Sequence, residues 1–352
     1  MIDISFYKNK KVLVTGHTGF KGTWLCKILV NAGAIVTGYS LEPDANNTLF
    51  SMTNIAKNIH NIYGDIRDYD KLKCAFEDAQ PEIVIHMAAQ PIVRESYKNP
   101  RTTYETNVMG TVNVLECIRI FPCVKSFLNV TTDKVYKNNE WFWGYREDET
   151  LDGFDPYSNS KSCSELVTNC YKNSFLRDIG SAISTARAGN VIGGGDFSKD
   201  RIIPDCVRAA YENEKIYIRN PHSIRPYQHV LEPLVVYLMI AEKQYKDIMY
   251  AGSYNVGPDE CDSIHTIDLV KLFCQYWGDG LEWEQTNNSL DLLHESKLLK
   301  LDCSKLKMTF GWKPRWNIDK CIEMTTRLYK VIALDGNVDK EMDKEIKEFL
   351  GD

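Results

Sequence analysis

A chain of 352 residues, 43% hydrophobic and 26% charged, has the make-up of a globular protein of one large or two fused domains. Its net charge of −6 argues against a nucleic-acid or anionic-membrane surface, because no basic excess exists to neutralise phosphates. No apolar run is long enough to span a bilayer, and MIDISFYKNKK lacks the apolar core of a signal peptide. Eleven scattered cysteines without a CxxC pair read as reduced thiols of a cytoplasmic protein, and the seven histidines lack metal-ligand spacing, so no metal site is expected.

Lys11–Thr15 is a short β-branched run that enters a glycine-rich turn. An amphipathic segment follows from Phe20 to Asn31, then an apolar run from Ala34 to Tyr39. This is strand, turn, helix, strand, the opening of a doubly wound sheet. The alternation continues with a strand at Ile59–Tyr63, a helix at Tyr69–Ala79 and a strand at Ile83–Met87. A long helix is expected over Arg101–Ile120, and a strand over Ser126–Thr131. Pro156–Leu176 reads as a helix with Asp155 as N-cap and proline in its first turn, followed by a strand at Ser181–Ala186. The expected fold is therefore α/β: a doubly wound parallel sheet of Rossmann type over residues 1–187, with a smaller α/β substrate-binding lobe. That lobe is placed at 188–229 and 256–352, where glycines 193–195 and several prolines break the alternation. Residues 230–255 are expected to return to the first lobe, since Val230–Ala241 is apolar enough for a packed helix.

Gly16, Gly19 and Gly22 follow the first strand and open a helix. Gly16 permits the tight turn, Gly19 lets backbone N–H groups approach a pyrophosphate, and Gly22 allows close helix–sheet packing. A dinucleotide site is expected there. Between Ile28 and Ala56 there is no Arg or Lys to meet a 2′-phosphate, which favours NAD over NADP. The usual acid after the second strand is missing; Tyr39-Ser40 stands there, with Glu42 beyond. Asp65 and Ile66 can hold the adenine, or Asp65 can be a helix N-cap. Tyr157 and Lys161, four apart on a helix, put a phenol and an ammonium on one face. The ammonium, with a nicotinamide cation, can lower the phenol toward neutrality and make Tyr157 a base. Asp133 adds an acid that alcohol oxidation alone does not need, and so suggests oxidation followed by loss of water.

Together TGHTGFKG, HMAAQ, ETNVMGT, TTDKVY, YSNSK, RAGNVIGGGDF and RPYQHV resemble the extended short-chain dehydrogenase/reductase family, from Lys11 to about residue 330. Within it the chain is similar to the sugar-nucleotide 4,6-dehydratases, most closely the CDP-glucose group, through DKVYKNNEWFWGYRED, GFDPYSNSK and IRNPHSIRPYQHVLEPL. The resemblance implies NAD held by Gly16, Thr18, Gly19, Phe20, Gly22, Asp65, Ile66, Ala88, Ala89, Gln90 and Asn107, with Tyr157 and Lys161. It implies that Tyr157 takes the C4 hydroxyl proton, Thr132 hydrogen-bonds near that hydroxyl, and Asp133 protonates the C6 hydroxyl. Lys134 stands where the dTDP-glucose enzymes carry Glu as the C5 base; it is either that base or a structural partner of Asp133. Asn190, Arg201, Arg219 and Arg225 are expected to grip the nucleotide diphosphate of the substrate. Trp141 and Trp143 either roof the sugar or anchor their own loop. The helices at 101–120 and 156–176 are expected to pair into a homodimer, with a tetramer open. A 4-epimerase on the same scaffold would lack the acid at 133, and a dinucleotide-sensing protein would lose the Tyr or the Lys.

Overall fold

The computed structural model describes residues 2–43, 48–285 and 298–351. Seven parallel strands form the central sheet: β1 Lys11–Thr15, β2 Ile35–Ser40, β3 His60–Tyr63, β4 Ile83–His86, β5 Ser126–Val130, β6 Ala182–Ala188 and β7 Ser253–Val256. Their spatial order is β7-β6-β5-β4-β1-β2-β3. β1 pairs with β2 on one side (Lys11 opposite Ile35) and with β4 on the other (Val12 opposite Ile83). The direction of winding therefore reverses between β1 and β4. Such a reversal opens a crevice at the carboxyl ends of the strands. The turns that follow β1, β4, β5 and β6 all arrive at that edge.

The central strands are buried on both faces, as a parallel sheet requires; β4, β5 and β6 have no exposed residue. One face is covered by α1 Phe20–Asn31 together with the later helix Leu231–Lys246. The other is covered by α2 Tyr69–Ala79 and by α3, residues 100–120. α3 is a single rod with a π-helical turn at Glu105–Met109 between Pro100–Tyr104 and Gly110–Ile120. α4, Pro156–Tyr171, is capped by Asp155, whose Oδ1 accepts from the Ser158 N–H at 2.9 Å. It runs into a second π-helical turn at Lys172–Leu176. The elements read from periodicity are thus present, with ends moved by one or two residues and the two long helices each loosened by a π turn.

Leu231–Lys246, hereafter α5, buries 13 of its 16 residues. A helix apolar on nearly every side is sandwiched rather than amphipathic. Ser126 of β5 donates to its Ala241 carbonyl at 3.0 Å, and Gln244 donates to the Phe127 carbonyl at 2.9 Å. Glu232 at its start accepts the N–H groups of Arg315 and Trp316, at 2.7 and 2.8 Å. Burial pushes that carboxyl up to about 7. A third cluster joins Ile203, Val207, Ile216, Phe273 and Ile322 under short two-stranded pairings such as Ile216–Ile218 with Trp283–Gln285. The helix α6, Val338–Leu350, was counted with the second lobe from sequence. It packs Val338, Met342, Ile346 and Phe349 into the cluster that holds Trp24 and Leu25 of α1. Lys27 of α1 bridges Asp339 and Asp343 at 3.1 and 3.0 Å.

Candidate active site

The glycine turn is shaped by close approach. Gly16 has φ +76°, and a Cβ there would lie 2.8 Å from the Ala88 nitrogen. A Cβ on Gly22 would lie 2.1 Å from the Gly16 carbonyl oxygen. Neither position admits a side chain. Gly19 differs: a Cβ there would meet only the Gly16 oxygen, at 3.4 Å, so nothing in the chain demands glycine. It is the N-cap of α1, and no side chain caps that helix. First-turn N–H groups without a capping side chain are a ready anion site. The protein thus presents a cradle that fits a dinucleotide pyrophosphate. Thr18 bonds Ser40 at 2.9 Å and the Leu41 carbonyl at 3.0 Å, tying the turn to the end of β2. Phe20 points toward Gly193 and Val230.

Asp65 is not a helix cap. Asp68 caps α2, accepting from Lys71, while Asp65 accepts from the Arg67 N–H and pairs with its guanidinium at 2.6 Å. Asp65, Arg67, Asp68, Glu105 and Met109 line a hollow of about 520 Å³ at that end of the sheet. Ile66 is buried against Gly110. Ala88, Ala89 and Gln90 form the turn after β4. Asn107, fully buried, braces it: its Oδ1 accepts from the Gln90 N–H at 2.8 Å, and its amide donates to the Gln90 carbonyl and to Ser160 Oγ. The side chain of Asn107 is therefore spent on holding this turn against the catalytic helix.

The candidate catalytic and substrate-binding residues Thr132, Asp133, Lys134, Tyr157, Asn190, Arg201, Arg219 and Arg225 line one cleft of about 980 Å³. Thr132 to Lys134 follow β5, Asn190 follows β6, and Tyr157 lies in the first turn of α4. Asp133 is wholly buried. Its Oδ1 accepts from Thr132 Oγ1 at 3.0 Å and from Lys134 Nζ at 3.2 Å. Among the described residues its Oδ2 has no hydrogen-bond partner. Lys134 also reaches Asn190 Oδ1 at 3.4 Å, so pairing with Asp133 is its observed contact.

Helical spacing places Lys161 on the face of Tyr157, where together with a nicotinamide cation it would lower the phenol. Lys161 is buried, its Nζ donates to the Val130 carbonyl at 3.2 Å, and burial pushes it down to about 8. Tyr157 is pushed up to about 12 by burial, opposed by a hydrogen bond from Thr132 and by the charge of Arg201. Arg201, whose charge opposes that rise, pairs with Asp196 at 2.8 Å. Arg219 reaches toward Asp200 and Asp205, at 3.4 and 3.5 Å, and Arg225 is buried beside the Ile224 carbonyl. Trp141 stacks on Tyr145 at 5.8 Å, and neither it nor Trp143 lines the cleft; Phe154 does. The cleft also contains Lys21, Arg94 and Asp196, which the sequence reading passed over. Lys21 carried a signal as a cation inside the glycine motif, and Asp196 lies within RAGNVIGGGDF. Among the described residues no group of His, Cys, Asp or Glu is placed to hold a metal, and no helix is long and apolar enough to cross a membrane.

A family model described as GDP-mannose 4,6 dehydratase matches residues 13–325. The chain belongs to this family. It is 45% identical to a CDP-glucose 4,6-dehydratase of Salmonella typhimurium, over 94% of the chain and 93% of that relative. Its fold is that of a dTDP-glucose 4,6-dehydratase from Bacillus anthracis solved with NAD, at TM-score 0.76 and 20% identity, covering 91% of this chain and 96% of that one. An epimerase from Methanothermobacter thermautotrophicus superposes with TM-score 0.82 at 22% identity, covering 94% of this chain and 95% of that one. Dehydratases and epimerases share this family's fold, so the architecture alone does not select the reaction.

Proposed function

We propose that this chain is an NAD-dependent 4,6-dehydratase that converts CDP-glucose to its 4-keto-6-deoxy product. The observation that carries the reading is Asp133: a buried carboxyl, held on one oxygen by Thr132 and Lys134, with its other oxygen left unpartnered among the described residues. A 4-epimerase has no use for such a group. The 45% identity to a CDP-glucose enzyme supports the choice of nucleotide.

When bound, NAD would supply hydride chemistry between C4 and C6. Gly16, Thr18, Gly19, Phe20 and Gly22 would hold its pyrophosphate side, Asp65 and Ile66 its adenine side, and Ala88, Ala89 and Gln90 the stretch between. Tyr157, with the Thr132 hydroxyl beside it, takes the proton of the 4-hydroxyl. The resulting ketone acidifies C5. A proton passed from Lys134 to Asp133 along their 3.2 Å contact leaves Lys134 neutral to take the C5 proton and Asp133 protonated to deliver its proton to the departing C6 hydroxyl. Asn190, Arg201, Arg219 and Arg225 hold the diphosphate. The cleft's walls exclude water from the ketone.

The division into a dinucleotide lobe (1–187 with 230–255) and a nucleotide-sugar lobe (188–229 with 256–352) belongs to the same reading, with α6 of the second lobe docked onto α1 of the first. So does a homodimer formed by α3 and α4, which expose Met109 and Leu166, with a tetramer as its doubled form, in the cytoplasm. The test is incubation with CDP-, dTDP- and UDP-glucose and GDP-mannose, followed by mass spectrometry for loss of water. A substrate deuterated at C4 should yield product deuterated at C6. Label retained at C4 without loss of water would make the protein an epimerase.

A further inference from the structure

Lys21 belongs to the glycine-rich turn by sequence, yet its side chain lines the cleft with Tyr157, Asp133 and Arg201. It is the second residue of α1, directly behind the uncapped helix start. Neighbouring cations all have acceptors: Lys134 has Asp133 at 3.2 Å, Arg201 has Asp196 at 2.8 Å, and Lys161 has the Val130 carbonyl at 3.2 Å. Among the described residues Lys21 has no hydrogen bond and no ion pair. Neither nearby carboxylate pairs with it: the unpartnered Asp133 Oδ2 lies beyond ion-pair distance, and the other carboxylate oxygens are engaged elsewhere. Asp196 holds Arg201 and the Ser198 N–H, and Asp133 Oδ1 holds Lys134 and Thr132. An ammonium set among cations, without an acceptor, is completed by an anion.

We propose that Lys21 is a positioning residue that binds a phosphate oxygen where the dinucleotide turn meets the sugar cleft. This rests on reading the cleft as a site for a dinucleotide and a nucleotide diphosphate sugar, either of which brings a phosphate. Burial pushes Lys21 down to about 7; Arg201 and Lys161 add to the shift, and Asp133 and Asp196 oppose it. An anion that restores its charge therefore draws a proton from solution at mildly alkaline pH.

The test is calorimetric titration of protein freed of nucleotide, with NAD and separately with CDP, near pH 8 in two buffers of different ionisation enthalpy. Wild type should take up protons with the ligand whose phosphate meets Lys21. Lys21→Met should weaken that ligand about 10- to 100-fold and abolish the uptake. Lys21→Arg should restore affinity without uptake, because a guanidinium is always charged. A loss confined to NAD assigns the phosphate to the dinucleotide; a loss confined to CDP assigns it to the sugar nucleotide. Unchanged affinity and uptake for both ligands in Lys21→Met overturns the proposal. So does Lys21→Arg that folds like wild type and still binds as poorly as Lys21→Met. Neither readout involves turnover, so this proposal and the dehydratase reading fail separately.

Discussion

Replacing Asp133 by Asn separates the acid from its shape. The side chain is wholly buried, and its Oδ1 accepts from Thr132 and Lys134, contacts an amide oxygen can keep. What disappears is the ion pair and the proton. Lys134 is 30% exposed, so water can solvate the ammonium left behind. The electrostatic loss is about 1 kcal/mol or less. Loss of a general acid costs about 10²- to 10⁴-fold in rate, roughly 3–5 kcal/mol of barrier. The chemical effect therefore exceeds the structural one, and the fold should survive while water loss slows. Oxidation at C4 uses Tyr157 and does not need the acid. Rapid mixing of the NAD-loaded variant with CDP-glucose should show reduced nicotinamide accumulating, at a rate close to that of wild type, before slow product release. Unchanged overall turnover would remove Asp133 from the mechanism. Loss of the first oxidation in a variant with wild-type melting temperature would make it a group that shapes the site rather than the acid.

Tyr157→Phe should bind NAD and CDP-glucose yet show no reduced nicotinamide on mixing; absorbance growth at the wild-type rate would exclude the phenol as base. Apoprotein titrated with both dinucleotides should bind NAD more tightly than NADP, since residues 28–56 contain no Arg or Lys; equal or tighter NADP binding would contradict this. Glu232 sits at about 7 in the fold against 4.5 ordinarily, so the native state keeps a proton that the unfolded chain releases, and stability falls as pH rises through that window. The span is on the order of 3 kcal/mol. Glu232→Gln should remove this part of the pH dependence, read as denaturant midpoints at several pH values, and parallel curves for the two proteins would refute it.

The sheet and its order of elements were legible because parallel strands are buried on both faces and read as short apolar runs between turn signals. Lys11–Thr15, Phe20–Asn31 and Tyr69–Ala79 carry such bounds in their own residues. The π turns at Glu105–Met109 and Lys172–Leu176 have no local signature; packing sets them. Thr132, Asp133 and Tyr157 were legible as chemistry, because an acid beside a redox pair is unusual. The charge that Arg201 adds near Tyr157 was not. The i,i+4 rule places Lys161 on the right face, where its ammonium donates to the Val130 carbonyl, while Arg201 arrives from a loop 44 residues beyond Tyr157. Asp65 misled as a cap because Asp68, three residues on, competes for the role and wins it. The docking of α6 onto α1 joins side chains 312 residues apart, a separation no local pattern records.

That docking couples the dinucleotide turn to a helix made long after it. α1 supplies the cradle at one end, while its flank, Trp24 to Lys27, is sealed by Val338–Phe349 and two aspartates. During synthesis, the turn of Gly16 to Gly22 emerges early, but the helix behind it waits for this cover. A fragment ending before Asn337 would hold the glycines, yet leave the helix that aims them resting on an open apolar seam.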